Sequence, residues 1–167
     1  MKIFDEKFSN NKMRYLLQCF LATLSVFVIL LLLDAVANAI IIAALGSSTF
    51  IVFAMPEAQV SRPRFLIGGY IVGISMGLLC HYLSLLPLLA QLSIIQEFPH
   101  VVFGALSVGL TIFVMVITDT EHPPAAGVAL ALILNELSYM TIFVAMAGIV
   151  SLCIIRYLFK SALRNLL

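Results

Sequence analysis

The chain has no tryptophan, and only 10% of its residues are charged. Soluble domains carry roughly 25% charged residues, because a water-facing surface needs them. With 63% of the sequence hydrophobic, too few polar side chains remain to cover a soluble fold of this size. Lipid is therefore the expected solvent for most of the surface. A field of one sign is also missing. Net charge is +1 and the basic residues fall in clusters rather than a stripe, so nucleic acid is not an expected partner.

Cysteine is scarce and scattered. Cys19, Cys80 and Cys153 lie in three separate apolar segments with no CxxC or Cys/His spacing. Neither a disulfide framework nor a zinc site is indicated, and the thiols read as small hydrophobes. Catalytic signatures are missing too: there is no G-x-S-x-G, no H-E-x-x-H and no paired-carboxylate array. The expectation is a protein that is not an enzyme and needs no metal or cofactor. Linkers, low-complexity stretches and coiled-coil heptads are likewise absent, so one transmembrane domain over 15–160 is expected. Short cytoplasmic tails would flank it at 1–14 and 161–167.

What the sequence does contain is six apolar segments, at 15–33, 35–55, 65–90, 101–118, 123–135 and 138–158. The fold class expected is all-α transmembrane, a compact bundle of about six segments. Lys2, Lys7, Lys12 and Arg14 ahead of the first segment, with Ala37-Asn38-Ala39 after it, imitate a secretory signal. The uncharged run is longer than the 7–15 residues of a signal h-region. It suits a spanning helix of about 20 residues and is read as part of the mature protein.

All nine basic residues sit in three places: before residue 15, at Arg62 and Arg64, and at Arg156, Lys160 and Arg164. Cytoplasmic loops of membrane proteins hold the excess of Lys and Arg. Placing all three clusters inside demands an even number of crossings between them, with both termini cytoplasmic. The second interval needs two crossings or four, depending on whether 101–135 is re-entrant or a true pair. The expected location is a bacterial inner (plasma) membrane.

Two segments are irregular. The second carries Gly46-Ser47-Ser48-Thr49 at its centre, where small hydroxylated residues can break or bend a helix, or pack it tightly against another. The fifth has thirteen residues and reaches only about 20 Å, against a hydrocarbon core of about 30 Å. Its start at Pro123-Pro124 should lie inside the membrane, with non-helical backbone leading to it. Such backbone is tolerated only within protein or beside water. Split into two triples, the six segments start on opposite faces and place an irregular segment second in each. That arrangement matches the inverted 3+3 repeats of transporters, whose sites form at broken helices near the midplane.

The densest polar cluster is Thr118-Asp119-Thr120-Glu121-His122-Pro123-Pro124. Two prolines suit a first helical turn. The helix they start would point free N–H groups and the positive end of its dipole at the cluster, which attracts a small anion. His122 beside Glu121 adds a group that changes protonation near neutral pH. A solvated cytoplasmic loop is the plainer alternative. His81 and His100 are lone and read as structural. Along 65–90, Gly69, Gly73 and Gly77 recur every four residues, a face suited to close helix approach.

Glu121-His122-Pro123-Pro124-Ala125-Ala126-Gly127 resembles the signature of the HPP family of integral membrane proteins. Ala44-Leu45-Gly46-Ser47-Ser48 resembles that family's small-residue motif, and Arg62-Pro63-Arg64 with Ile67-Gly68-Gly69 resembles its loop and third helix. The three motifs occur in family order over residues 36–135. The resemblance implies a compact multi-helix membrane protein, with members linked to nitrite transport. Tyr70 departs from the family pattern, which favours His there, and Ala126-Gly127 reorders the usual small residues.

The function expected is transport of a small inorganic anion, nitrite above others, at a site between the two irregular segments. Gly46, Ser47, Ser48 and Thr49 would face Glu121, His122, Pro123, Pro124 and the N–H groups of Ala125, Ala126 and Gly127. Arg64 would gather anions at the cytoplasmic mouth. The rivals are a passive channel for a small solute and a membrane scaffold or sensor. A homo-oligomer is expected, because so small a bundle hardly encloses a pore and its walls.

Overall fold

In lipid, every backbone N–H and C=O must find its partner within the protein. This chain meets that demand with helices alone among the described residues. The computed structural model describes residues 11–33, 39–89 and 93–166. The helices are α1 (Lys12–Leu33), α2 (Ala39–Ala54), α3 (Pro63–Ser84), α4 (Ser93–Glu97), α5 (Pro99–Thr118), α6 (Pro124–Leu134) and α7 (Tyr139–Leu158), with a 3-10 turn at Gln59–Ser61. α1, α3, α5 and α7 are long and apolar enough to cross a membrane, whereas α2 and α6 are shorter. The six expected segments correspond to these six helices, and the start of the second, 35–38, lies outside the described residues. α4 was not anticipated; it falls in the connection after the third segment.

Three helices, α3, α5 and α6, carry proline at their first turn, where the missing N–H costs nothing. α7 begins instead at Ser138, whose hydroxyl accepts from the Met140 N–H at 3.2 Å. Large apolar side chains such as Phe20, Phe27, Phe113, Ile117, Phe143 and Ile154 remain exposed. Lipid is the solvent that makes this stable.

One end of the bundle collects the basic clusters. Gln18, early in α1, donates to the Phe53 carbonyl at 2.6 Å near the end of α2. It also donates to the Arg164 carbonyl at 2.9 Å and accepts from the Arg164 N–H at 3.3 Å, beyond the end of α7. Leu166 N–H bonds the Ala54 carbonyl at 2.9 Å. Arg64, early in α3, donates to the Thr118 carbonyl at 3.1 Å at the end of α5. The described members of the three basic clusters, Lys12 and Arg14, Arg62 and Arg64, and Arg156, Lys160 and Arg164, therefore share one end of the bundle.

The buried Gln18 amide satisfies carbonyls that helix ends leave unpaired. Gln18→Leu should destabilise the protein by about 1–3 kcal/mol, the scale of stranding buried polar groups. A thermal melt in detergent checks this, and an unchanged midpoint would contradict it.

α3 is the central helix, packed against α5, α6 and α7. Its glycine stripe lets α6 and the chain leading to it approach closely. A Cβ on Gly69 would lie 2.5 Å from the His122 Cβ, and one on Gly73 would collide with the Ala125 carbonyl. The expected glycine face is thus a contact within the protomer.

Gly73 is near the middle of the 22-residue α3, so the start of α6 lies deep in the bundle, as its length required. From the basic face the chain descends as Asp119–Pro123 beside α3, and α6 then runs on toward the opposite end of the bundle for 11 residues, about 16 Å. At its far end the His100 ring Nδ1–H donates to the Ile133 carbonyl at 3.1 Å. This is the structural role expected of His100.

The expected break at 46–49 is corrected: α2 runs unbroken through Gly46, Ser47, Ser48 and Thr49. The hydroxyls reach back one turn to the carbonyls of Ala43, Ala44 and Leu45 at 2.9, 2.9 and 2.8 Å. Side chains able to compete with the helix therefore stay inside its own ladder. α2 is short, not broken.

Candidate functional site

The approach to the site is set by the stop at the end of α5. Asp119 adopts a left-handed conformation, φ 52° and ψ 54°, one that Asp tolerates better than most residues. Thr120 N–H bonds back to the Met115 carbonyl at 3.0 Å, the six-to-one bond of a Schellman stop. The chain turns there and heads inward. Arg64 pairs with the Asp119 carboxylate at 3.3 Å, and Gln59 donates to the same group at 3.3 Å. Both residues of the ion pair are solvent-exposed, so it pins the turn more than it stabilises the fold. Arg64 is accordingly engaged with Asp119 at the rim.

Three residues further, His122 is fully buried, as are Ser48 and Tyr70. Gly69, lacking a Cβ, makes room for the histidine against α3. The His122 ring spans two elements. Nδ1 lies 3.3 Å from the Val60 carbonyl in the 3-10 turn, and Nε2 lies 2.8 Å from Ser48 Oγ on α2. Tyr70 on α3 completes the group, its hydroxyl 3.1 Å from Ser48 Oγ and its ring centroid 5.7 Å from that of His122.

The hydrogen-bond directions follow from chemistry. A carbonyl only accepts, so Nδ1 carries a proton toward Val60. In the neutral ring Nε2 is then an acceptor; Ser48 donates to it, and Tyr70 donates to Ser48. If Nε2 gains a proton, it donates to Ser48 Oγ instead. Ser48 can then turn its hydrogen to the Ala44 carbonyl, 2.9 Å away, while still accepting from Tyr70. Both states leave every member of the triad partnered. A buried polar group that is satisfied in two arrangements can exchange a proton without stranding a donor or acceptor.

Around this triad the expected site residues divide. In a continuous helix, four consecutive residues point four ways. Ser48 faces His122. Ser47 lines an open groove of about 580 Å³ between α2 and α6, together with Ala43, Phe50, Pro123, Pro124 and Gly127. Gly46 and Thr49 line a different groove, against Thr23, Phe27 and other α1 residues, away from His122.

The first N–H groups of α6 are taken. Ala125 bonds the His122 carbonyl at 2.9 Å and Ala126 bonds the Pro123 carbonyl at 3.1 Å. Ala125 is buried, while Glu121, Ala126 and Gly127 are partly exposed. The expected backbone donors at Ala125 and Ala126 thus close the helix start on itself, and the side-chain triad is the polar feature left at this depth.

Tyr70 and the Val60 carbonyl were not among the expected site residues. Tyr70 directly follows the Gly68-Gly69 pair that admits the inward chain, which was the available signal. No grouping of three or more His, Cys, Asp or Glu able to hold a metal occurs among the described residues.

A family model for the HPP transmembrane region matches residues 8–166, nearly the whole chain. No curated protein and no solved structure matches. The match extends beyond the three motifs that carry the sequence resemblance, reaching α1 and α7.

Proposed function

Because the chain belongs to the HPP family of integral membrane proteins, we propose that it transports a small inorganic anion, nitrite, together with a proton. The observation that carries this reading is the buried His122–Ser48–Tyr70 triad at the start of a half-crossing helix. Polar and ionisable groups at membrane depth are costly, and they recur where ions or protons pass. His122 accepts and releases the proton. Ser48 passes the hydrogen-bond direction on, and Tyr70 anchors the chain of bonds. The anion enters by the α2–α6 groove, where the Ser47 hydroxyl turns from the Ala43 carbonyl to donate to it beside Pro123 and Gly127. Arg64 and Arg62 raise anion concentration at the mouth.

The same reading places the basic face in the cytoplasm of a bacterial inner membrane. Cysteines introduced at Arg62 and Lys160 should label from the cytoplasmic side only; labelling of either from outside would reverse the orientation. It also includes an inverted relation between the α1–α3 and α5–α7 triples, which start on opposite faces. The groove is open, and a second copy of the chain would close it, so the working unit in this reading is a homo-oligomer.

Uptake into proteoliposomes, screened over nitrite, nitrate, formate and chloride, tests the substrate. Saturable nitrite uptake above protein-free vesicles is expected. Equal flux of all four would favour a passive channel.

A further inference from the structure

On the basic face, away from the triad, Pro56, Glu57, Arg156, Lys160, Leu163 and Arg164 enclose a pocket of about 290 Å³. That is near the lower end of ligand-pocket sizes, about 300–1,000 Å³. Its walls are tied down. Glu57 N–H bonds Asn165 Oδ1 at 3.0 Å, and Arg156 Nη2 donates to the Pro56 carbonyl at 2.8 Å. The Gln18 amide holds the main chain of Arg164.

Three cationic side chains meet one carboxylate in this pocket. Glu57 lies 3.9 Å from Arg164, a long and solvent-exposed pair that leaves most of the positive charge uncompensated. Arg156 adds a second, independent sign. Its Nε is buried and is the one buried side-chain nitrogen or oxygen without a hydrogen-bond partner among the described residues. Buried donors in native proteins are almost always satisfied, so this one calls for an acceptor that the chain does not supply.

We propose that the pocket binds the phosphate of an anionic phospholipid headgroup. Phosphate oxygens offer acceptors to the Arg156, Lys160 and Arg164 side chains that line the pocket, and guanidinium groups match phosphate geometry. Basic pockets between transmembrane helices bind such headgroups. The surroundings favour lipid over free phosphate. Beside the pocket, Lys160 and Arg164 share a shallow surface with Tyr157 and Leu158 at the end of α7. Tyr157 is 77% exposed and Leu158 67%. An aromatic and an aliphatic side chain next to cations suit the boundary where glycerol and acyl chains begin.

The test is a thermal melt of the full chain in a neutral detergent, titrated with phosphatidylglycerol, phosphatidylcholine or inorganic phosphate. Native mass spectrometry counts the retained lipid. Phosphatidylglycerol should raise the melting midpoint and remain bound, while the other two should do neither. Lys160→Gln/Arg164→Gln should weaken phosphatidylglycerol binding about thirtyfold, given the strength of basic residues at an anionic surface. Lys12→Gln/Arg14→Gln removes the same charge elsewhere on this face and should leave binding unchanged. The single change Lys160→Gln serves if the double variant folds poorly, and should give an intermediate loss. Equal losses in both double variants would mean diffuse attraction and overturn the site. A response to inorganic phosphate that matches phosphatidylglycerol would overturn the lipid assignment.

Discussion

His122→Ala should lower proton-driven nitrite uptake at least about tenfold while leaving the helical bundle folded. The ring has two bonds, to Ser48 and to Val60. Without it Ser48 keeps the Ala44 carbonyl and Tyr70 keeps Ser48. Only the Val60 carbonyl loses its partner, which costs about 1–3 kcal/mol. Transport would lose more, because the imidazole is the one group of the triad with a second ring nitrogen free to take up and release a proton. Ser48→Ala separates the two roles. It cuts the bond path and leaves the imidazole, so proton coupling should fall, while the stranded Nε2 and Tyr70 hydroxyl cost about 1–3 kcal/mol each. Uptake and melting midpoint measured on the same preparations decide this. A variant that transports at the wild-type rate would remove His122 from the mechanism.

Gly73→Leu should have the largest effect on stability. A Cβ there would collide with the Ala125 carbonyl, which is backbone at a helix start and cannot rotate away. Overpacking a core typically costs about 1–3 kcal/mol when side chains can adjust. Here the α6 start must move as a body, and the His122 environment moves with it. Loss of folded, monodisperse protein in detergent is therefore expected. Gly109→Leu on α5, where a Cβ would meet nothing within 4 Å, is the matched control and should behave as wild type. Unchanged stability of the Gly73 variant would contradict the packing described above.

The features legible in the sequence were those set by hydrophobic length and by proline. Thirteen residues opened by Pro123-Pro124 could not cross a bilayer alone, and the structure duly starts α6 beside Gly73. The glycine spacing of α3 gave its packing face for the same reason, since only a missing Cβ permits that approach. The expected break in α2 failed because composition does not reveal where a hydroxyl finds its acceptor. Ser47, Ser48 and Thr49 bond one turn back, and the helix absorbs them. Grouping 46–49 as one wall failed with it, because helical rotation sends Gly46 and Thr49 toward α1.

Tyr70, noted only as a departure from the family pattern, was left out of the expected site for another reason. An aromatic in an apolar segment reads as core, and only the α2–α3 packing shows that its hydroxyl reaches Ser48. The N–H groups of Ala125 and Ala126 looked free because helix starts usually leave them so. Here the carbonyls of His122 and Pro123 fold back to take them.

The central claim is that an anion and a proton move together through the His122–Ser48–Tyr70 region. Its most direct test is proton movement during uptake. Proteoliposomes loaded with a pH-sensitive dye receive external nitrite, with protein-free vesicles as the baseline for undissociated nitrous acid. The account predicts that the lumen acidifies faster than the baseline with wild-type protein, and at the baseline rate with His122→Ala. Saturable nitrite uptake without added acidification, or with acidification that survives loss of His122, would contradict it.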